Sequence, residues 1–231
     1  MQHLILLHGA LGSKEQLQPL ATILQNTFHV HSFNFSGHGG RPFPDIAFSI
    51  PLFAEQIAEY MKETNIEHAN IFGYSMGGYA AMHLAKHFPD KINRLVTLAT
   101  KFHWDAPTAA REVKMLDGNT IQAKVPAFAA QLQQRHVPND WLVLLDKTKD
   151  LLTGLGNQNA LQPEDYPSIT APCLLLLGDR DKMVTLDETV AVYKQLPNAQ
   201  FGVLPGTPHA LEQADLSFLA QLITKFINEK R

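Results

Sequence analysis

The sequence predicts an α/β protein, built on a mainly parallel, doubly wound sheet of about six strands with a helical insertion. Three observations carry this. Short apolar runs ending in glycine or a polar turn alternate with longer segments of helical period, as parallel strands and crossover helices do. Runs such as Leu4 to Leu7 and Cys173 to Leu177 are apolar at every position, which suits strands covered on both faces. One interval, residues 101–170, breaks the rhythm and is too long for a simple connection.

Taken in order, strands are expected near His3 to Leu7, His29 to Phe33, Ala69 to Phe72, Leu95 to Ala99, Cys173 to Leu177 and Gln200 to Leu204. Between them, Lys14 to Gln25, Ile50 to Thr64, Gly77 to His87 and Leu186 to Gln195 place apolar residues three and four apart, and Asp215 to Glu229 closes the chain the same way. Right-handed crossovers then give the doubly wound arrangement. Residues 101–170 hold no clear strand, only amphipathic stretches around Ala109 to Met115, Ala127 to Arg135 and Asn139 to Leu152. They read as a lid or small helical subdomain, inserted into a core made of residues 1–100 and 171–231. Its Phe102, Trp104, Phe128, Leu132, Trp141 and Leu142 either shape an apolar pocket or simply pack onto the core.

At 231 residues and 45% hydrophobic, the chain can build a large core without disulfides. Nineteen Lys and Arg stand against 22 Asp and Glu, for a net charge of -3, so no positive field holds nucleic acid or an anionic membrane. The expected partner is a small molecule. Cys173, the single cysteine, sits in the apolar run Cys173 to Leu177 and reads as a buried strand residue, which fits a reducing cytoplasm. Met1 to Leu7 has no basic region of a targeting signal, and no apolar stretch approaches the roughly 18 to 20 residues of a membrane span. Asn34-Phe35-Ser36 matches a glycosylation acceptor and is read as a chance triplet.

The chemistry centres on Gly73-Tyr74-Ser75-Met76-Gly77, which follows an expected strand and opens an expected helix. A turn that tight holds its serine in a strained backbone conformation and leaves room only for glycine two residues to either side. The hydroxyl of Ser75 is thereby exposed. A serine needs a general base within hydrogen-bond reach and a third group to orient that base. Among eleven histidines, His209 stands in the loop leaving the last strand at its C-terminal end, where ligand chemistry collects in open α/β sheets. His83 and His87 lie four apart on one helix but lack a third metal ligand, so no metal is expected. His29, His31 and His136 read as satisfied or solvated, and His8 as an orderer of its loop. The acid is expected after the fifth strand, in Gly178-Asp179-Arg180-Asp181, with Asp181 preferred, Asp179 its immediate rival and Asp105 a distant third. Two N–H donors are required for an oxyanion. Met76 offers one at a helix N-terminus, and the loop His8-Gly9-Ala10-Leu11-Gly12 offers the other, first from Ala10 and second from Leu11.

These residues resemble the α/β-hydrolase family: His8-Gly9 after a strand, Gly37-His38-Gly39 in the next loop, the Ser75 elbow, Gly178 to Asp181, then Pro208-His209, in the order Ser, Asp, His. The resemblance spans Leu4 to about Phe226. It implies that Ala10, following His-Gly, lends an oxyanion N–H and that residues 101–170 form a cap over the site. Members of that family usually begin with two further strands, whereas this chain starts in the strand leading to His8, implying a sheet of six parallel strands. The loop Asn34 to Arg41 also lacks the acidic residue and the Arg often found before its first glycine.

The expected activity is hydrolysis of a carboxylic ester, thioester or lactone through an acyl-enzyme, without a cofactor. Leu11, Phe102, Trp104 and Met183 are expected to contact a small apolar or aromatic substrate. Hydrolysis of carbon–carbon bonds in diketones, a cofactorless lyase or haloperoxidase-like activity, and a small-molecule receptor on the same fold remain the alternatives.

Overall fold

Successive side chains of each strand point to opposite faces of the sheet, and this divides the core in two. In the computed structural model, which describes residues 1–229, six strands form one parallel sheet in the order β2-β1-β3-β4-β5-β6. They are β1 (His3–Leu7), β2 (His29–Ser32), β3 (Ala69–Tyr74), β4 (Ile92–Leu98), β5 (Cys173–Gly178) and β6 (Ala199–Leu204). Ile5, Leu7, Ile71, Leu95 and Leu175 point to one face, where they pack against α2 (Ile50–Glu63), α3 (Met76–His87) and Val192 of α8 (Leu186–Tyr193). Leu4, Leu6, Phe72, Val96, Leu98, Leu174 and Leu176 point to the other, covered by α1 (Gln18–Leu24) and α9 (Leu216–Asn228). Both faces being apolar is what a parallel sheet covered by crossovers demands. Cys173 is 1% exposed, and burial pushes its thiol up to about 12.

Strand order positions the site. The chain leaves β1 toward β2 on one side and reaches β3 on the other, so the loops after β1 and β3 diverge and open a crevice at the C-terminal edge. The glycines of the elbow allow β3, α3 and β1 to approach closely. A Cβ on Gly77 would lie 2.6 Å from His8 O and 2.8 Å from Leu7 O, and one on Gly73 would collide with the backbone of Gly78.

Four helices fill the stretch between β4 and β5: α4 (Ala106–Lys114), α5 (Gly118–Lys124), α6 (Pro126–His136) and α7 (Trp141–Asn157). Asp105, Asp117 and Asp140 cap α4, α5 and α7 by accepting from Thr108, Thr120 and Leu142 N–H groups. Asp105 is thus a helix cap rather than a partner for a base. Three helical segments of the structure differ from the sequence reading. Helix α5 has no counterpart in that reading, because among its seven residues only Ile121 is buried and no periodicity shows. Helix α7 continues past Leu152 through Gly154 and Gly156, and a Cβ on Gly156 would meet Ala109 Cβ at 2.5 Å, so glycine there marks close packing on α4 rather than a break. Lys14 to Gln25 divides into a 3₁₀ turn at Lys14–Leu17 and then α1. No helix among the described residues is long and apolar enough to cross a membrane.

Candidate active site

Ser75 ends β3 and precedes α3 with φ 51° and ψ -118°, outside the regions open to residues with a Cβ. Three contacts hold it there: its N–H donates to Leu98 O at 2.9 Å, its carbonyl accepts from Gly78 N–H at 3.0 Å, and Thr100 Oγ1 donates to the same carbonyl at 3.2 Å. Strain of this kind persists only where surroundings over-determine it.

The hydroxyl of Ser75 lies 3.3 Å from His209 Nε2, and His209 Nδ1 lies 2.8 Å from Asp181 Oδ2. His209 follows β6, and its carbonyl accepts from Tyr74 Oη at 3.0 Å, which fixes the loop to the elbow. Asp181 has a fully buried side chain, and its second oxygen accepts from Met183 and Val184 N–H groups at 2.8 and 2.9 Å. Burial pushes this carboxyl up, but the hydrogen bond and charge of His209, with the two N–H groups, outweigh it and hold the carboxyl below its ordinary value. An ionised Asp181 accepts a hydrogen bond from Nδ1–H, leaving the lone pair of Nε2 toward Ser75. Asp179 goes elsewhere: it accepts from Thr207 N–H at 3.3 Å and pairs with exposed Arg180 at 3.7 Å.

Ala10 and Met76 line the same cavity as Ser75 and His209, and among the described residues neither N–H has a hydrogen-bond partner. A Cβ on Gly9 would fall 3.1 Å from Ser75 Cβ, so the β1 loop runs directly beside the elbow. His8 is fully buried; its Nδ1 donates to Gly9 O at 2.8 Å and its Nε2 accepts from Phe35 N–H at 3.1 Å, so it orders this loop as a neutral ring. Burial pulls it down to about 4, against the bond to Gly9.

The cavity measures about 820 Å³ and is walled mostly by apolar side chains, among them Ile50, Trp104, Phe128, Leu151 and Leu155. Leu11 and Met183 also face it. Phe102 does not, which corrects the sequence expectation: it is 2% exposed and packs edge-on against Tyr79 and Tyr166 in the core. Leu132 and Trp141 form a separate cluster with Ile121, Ala129 and Leu145. Four charged residues on the lining escaped sequence reasoning: Lys101, Glu112, Arg135 and Glu212. Lys101 is 9% exposed, pairs with Glu188 at 3.1 Å and lies 5.8 Å from the centre of the Trp104 ring. Its position directly after β4 was the available signal, since chain leaving the C-terminal ends of strands gathers around the site.

Residues 2–139 match the family described as the alpha/beta hydrolase fold. The chain belongs to that family. The α/β-hydrolase fold accounts for the sheet and the helices around it, and relatives match nearly all of the chain. Esterase YbfF of Escherichia coli is 24% identical, covering 98% of this chain and 93% of its own. The 2-(acetamidomethylene)succinate hydrolase of Mesorhizobium japonicum is 22% identical, covering 97% and 87%. Among solved structures, a thermophilic esterase from Thermogutta terrifontis superposes with a TM-score of 0.80 at 17% identity, covering 98% of this chain and 89% of that one.

Proposed function

We propose that this α/β-hydrolase is a serine hydrolase acting on small apolar carboxylic esters through an acyl-enzyme. The observation that carries the reading is the run of contacts from Ser75 to His209 to Asp181, opening on an apolar cavity. In the acylation step Ser75 Oγ attacks the ester carbonyl carbon as its proton passes to His209 Nε2. Negative charge develops on the carbonyl oxygen and is met by the N–H groups of Ala10 and Met76, the latter at the positive end of α3. Collapse breaks the carbon–oxygen bond, and the departing alcohol takes the proton from His209. Water then attacks the acyl carbon with His209 again as base, releasing the carboxylic acid and regenerating Ser75. Asp181 stays ionised throughout, orienting the ring and stabilising the imidazolium.

In this reading residues 101–170 form the cap and residues 1–100 and 171–231 the catalytic core, with Leu11, Trp104 and Met183 shaping the substrate. Esterase names among relatives that cover 98% of this chain support the ester as substrate. A fluorophosphonate probe should label Ser75, and Ser75→Ala should abolish turnover of short nitrophenyl esters. Labelling at another residue, or turnover that survives the substitution, overturns the assignment. Thioesters, lactones and diketones assayed beside esters, each against Ser75→Ala, define the bond cleaved and separate an enzyme from a receptor.

A further inference from the structure

The last two residues of α6 converge on one backbone oxygen. Arg135 Nη1 donates to Leu11 O at 2.8 Å, and His136 Nε2 donates to the same oxygen at 3.1 Å. His136 Nδ1 accepts from Gly39 N–H at 3.0 Å, so its proton resides on Nε2, and only the neutral ring makes both bonds. Burial keeps that ring neutral, pulling it down to about 4; the bond to Leu11 opposes this and the charge of Arg135 adds to it. Arg135 Nη2 also lies 3.9 Å from Glu212, three residues beyond His209, and Glu212 accepts from Gln16 Nε2 at 2.8 Å.

The oxygen so held belongs to a strained residue. Leu11 has φ 57° within the turn Gly9 to Gly12, closed by Gly12 N–H donating to Gly9 O at 3.1 Å. A residue with a Cβ remains there only if its surroundings insist on it. Two donors on its carbonyl, one of them charged, do so. Ala10 and Leu11 are the inner residues of that turn, and their N–H groups have no partner among the described residues.

We propose that Arg135 and His136 are positioning residues for the ester hydrolysis described above: by clamping the Leu11 carbonyl they hold the Gly9–Gly12 turn with the Ala10 N–H facing Ser75. The clamp rests on the reading of Ser75 as nucleophile and Ala10 as oxyanion donor. It makes α6 of the excursion part of the catalytic geometry without contact to the reacting atoms. Arg135 also lines the cavity, so direct substrate contact is the rival role.

The test uses Arg135→Met, which keeps length and loses the donors, and Arg135→Lys, which keeps a charged donor. With a short nitrophenyl ester, Arg135→Met should lower kcat about 10-fold or more while KM stays within about twofold, because a misaimed oxyanion donor forfeits part of the 10²–10³ such a donor supplies. Affinity for a trifluoromethyl ketone, whose adduct with serine carries the oxyanion, should fall in parallel with kcat/KM, and Arg135→Lys should recover most of both. An unchanged kcat, a loss confined to KM, or a lowered kcat with undiminished ketone affinity overturns the proposal. If Arg135→Met does not fold, Arg135→Gln, which is shorter and uncharged, takes its place: a kcat loss matched by ketone affinity supports the clamp, and wild-type values of both refute it. Amide ¹⁵N signals of Ala10 and Leu11 supply a readout independent of turnover. They should shift in Arg135→Met, and their constancy overturns the clamp. Failure of fluorophosphonate labelling in the wild-type chain instead overturns the nucleophile assignment.

Discussion

His209 Nδ1 meets Asp181 Oδ2 at 2.8 Å, while Asp179, two residues earlier in the same turn, directs its carboxylate to Thr207 N–H. Two neighbouring acids therefore have different partners. Asp181→Asn should lower kcat by about 10³–10⁴, because the amide stabilises the wrong imidazole tautomer. Asp179→Asn should remain within a few-fold of wild type. Steady-state kinetics on one nitrophenyl ester measure both, and equal losses would remove the distinction.

The elbow stores backbone strain that glycine relieves. Ser75→Gly and Ser75→Ala should both be inactive, but the glycine variant should be more stable than the alanine variant by about 1 kcal/mol, the strain released at φ 51° exceeding the entropy cost of glycine. Urea unfolding of the pair measures it. Gly77→Ala should act oppositely and destabilise by about 1–3 kcal/mol, because its Cβ meets the carbonyls of Leu7 and His8, which belong to backbone and cannot step aside.

Buried neutral histidines set the acid limit of stability. His8 and His136 are each held down to about 4, and His38 is held well below 6.5, burial being the first cause in all three. The unfolded chain binds protons at these sites near pH 6.5 and the folded chain does not, so their stabilising contribution is complete above about pH 6.5 and declines as pH falls toward 4. For His8 the loss by pH 4 is on the order of 3 kcal/mol. Urea midpoints measured from pH 7 to pH 4 should therefore fall steadily, starting well above the range in which the carboxylates protonate. A flat profile between pH 6.5 and 5 would contradict this account.

Phe102 and Met183 should separate stability from specificity. Phe102→Ala should cost about 3–5 kcal/mol and leave the preference among esters unchanged, since the ring fills core space between Tyr79 and Tyr166. Met183, 37% exposed and facing the cavity, should do the reverse: Met183→Ala should alter relative kcat/KM across acyl chain lengths with a change in stability below about 1 kcal/mol.

The sheet was legible because strands buried on both faces leave unbroken apolar runs such as Leu4 to Leu7 and Cys173 to Leu177. Strand β4 is longer than its apolar run shows: it begins at Ile92, paired with Ala69, and Arg94 pairs with Asn70, the polar Asn93 between them being skipped by a register shift. The serine turn was legible because its glycines are steric requirements that few other residues meet. The choice between Asp179 and Asp181 depended on where the β6 loop carries His209, which no local pattern encodes. Arg135 and Lys101 escaped for a related reason. A cation in a sequence reads as a solvated side chain, and only the tertiary contacts, with Leu11 O and with Glu188, reveal otherwise.

Cys173, enclosed within β5, leaves the outside of this chain blank to maleimides and other sulfur-seeking reagents. A cysteine introduced at a solvent-facing position of α7, for instance Val143→Cys, would consequently carry a spectroscopic label at one defined point. A label there reports on the surroundings of the helical excursion alone, with the native sulfur keeping silent.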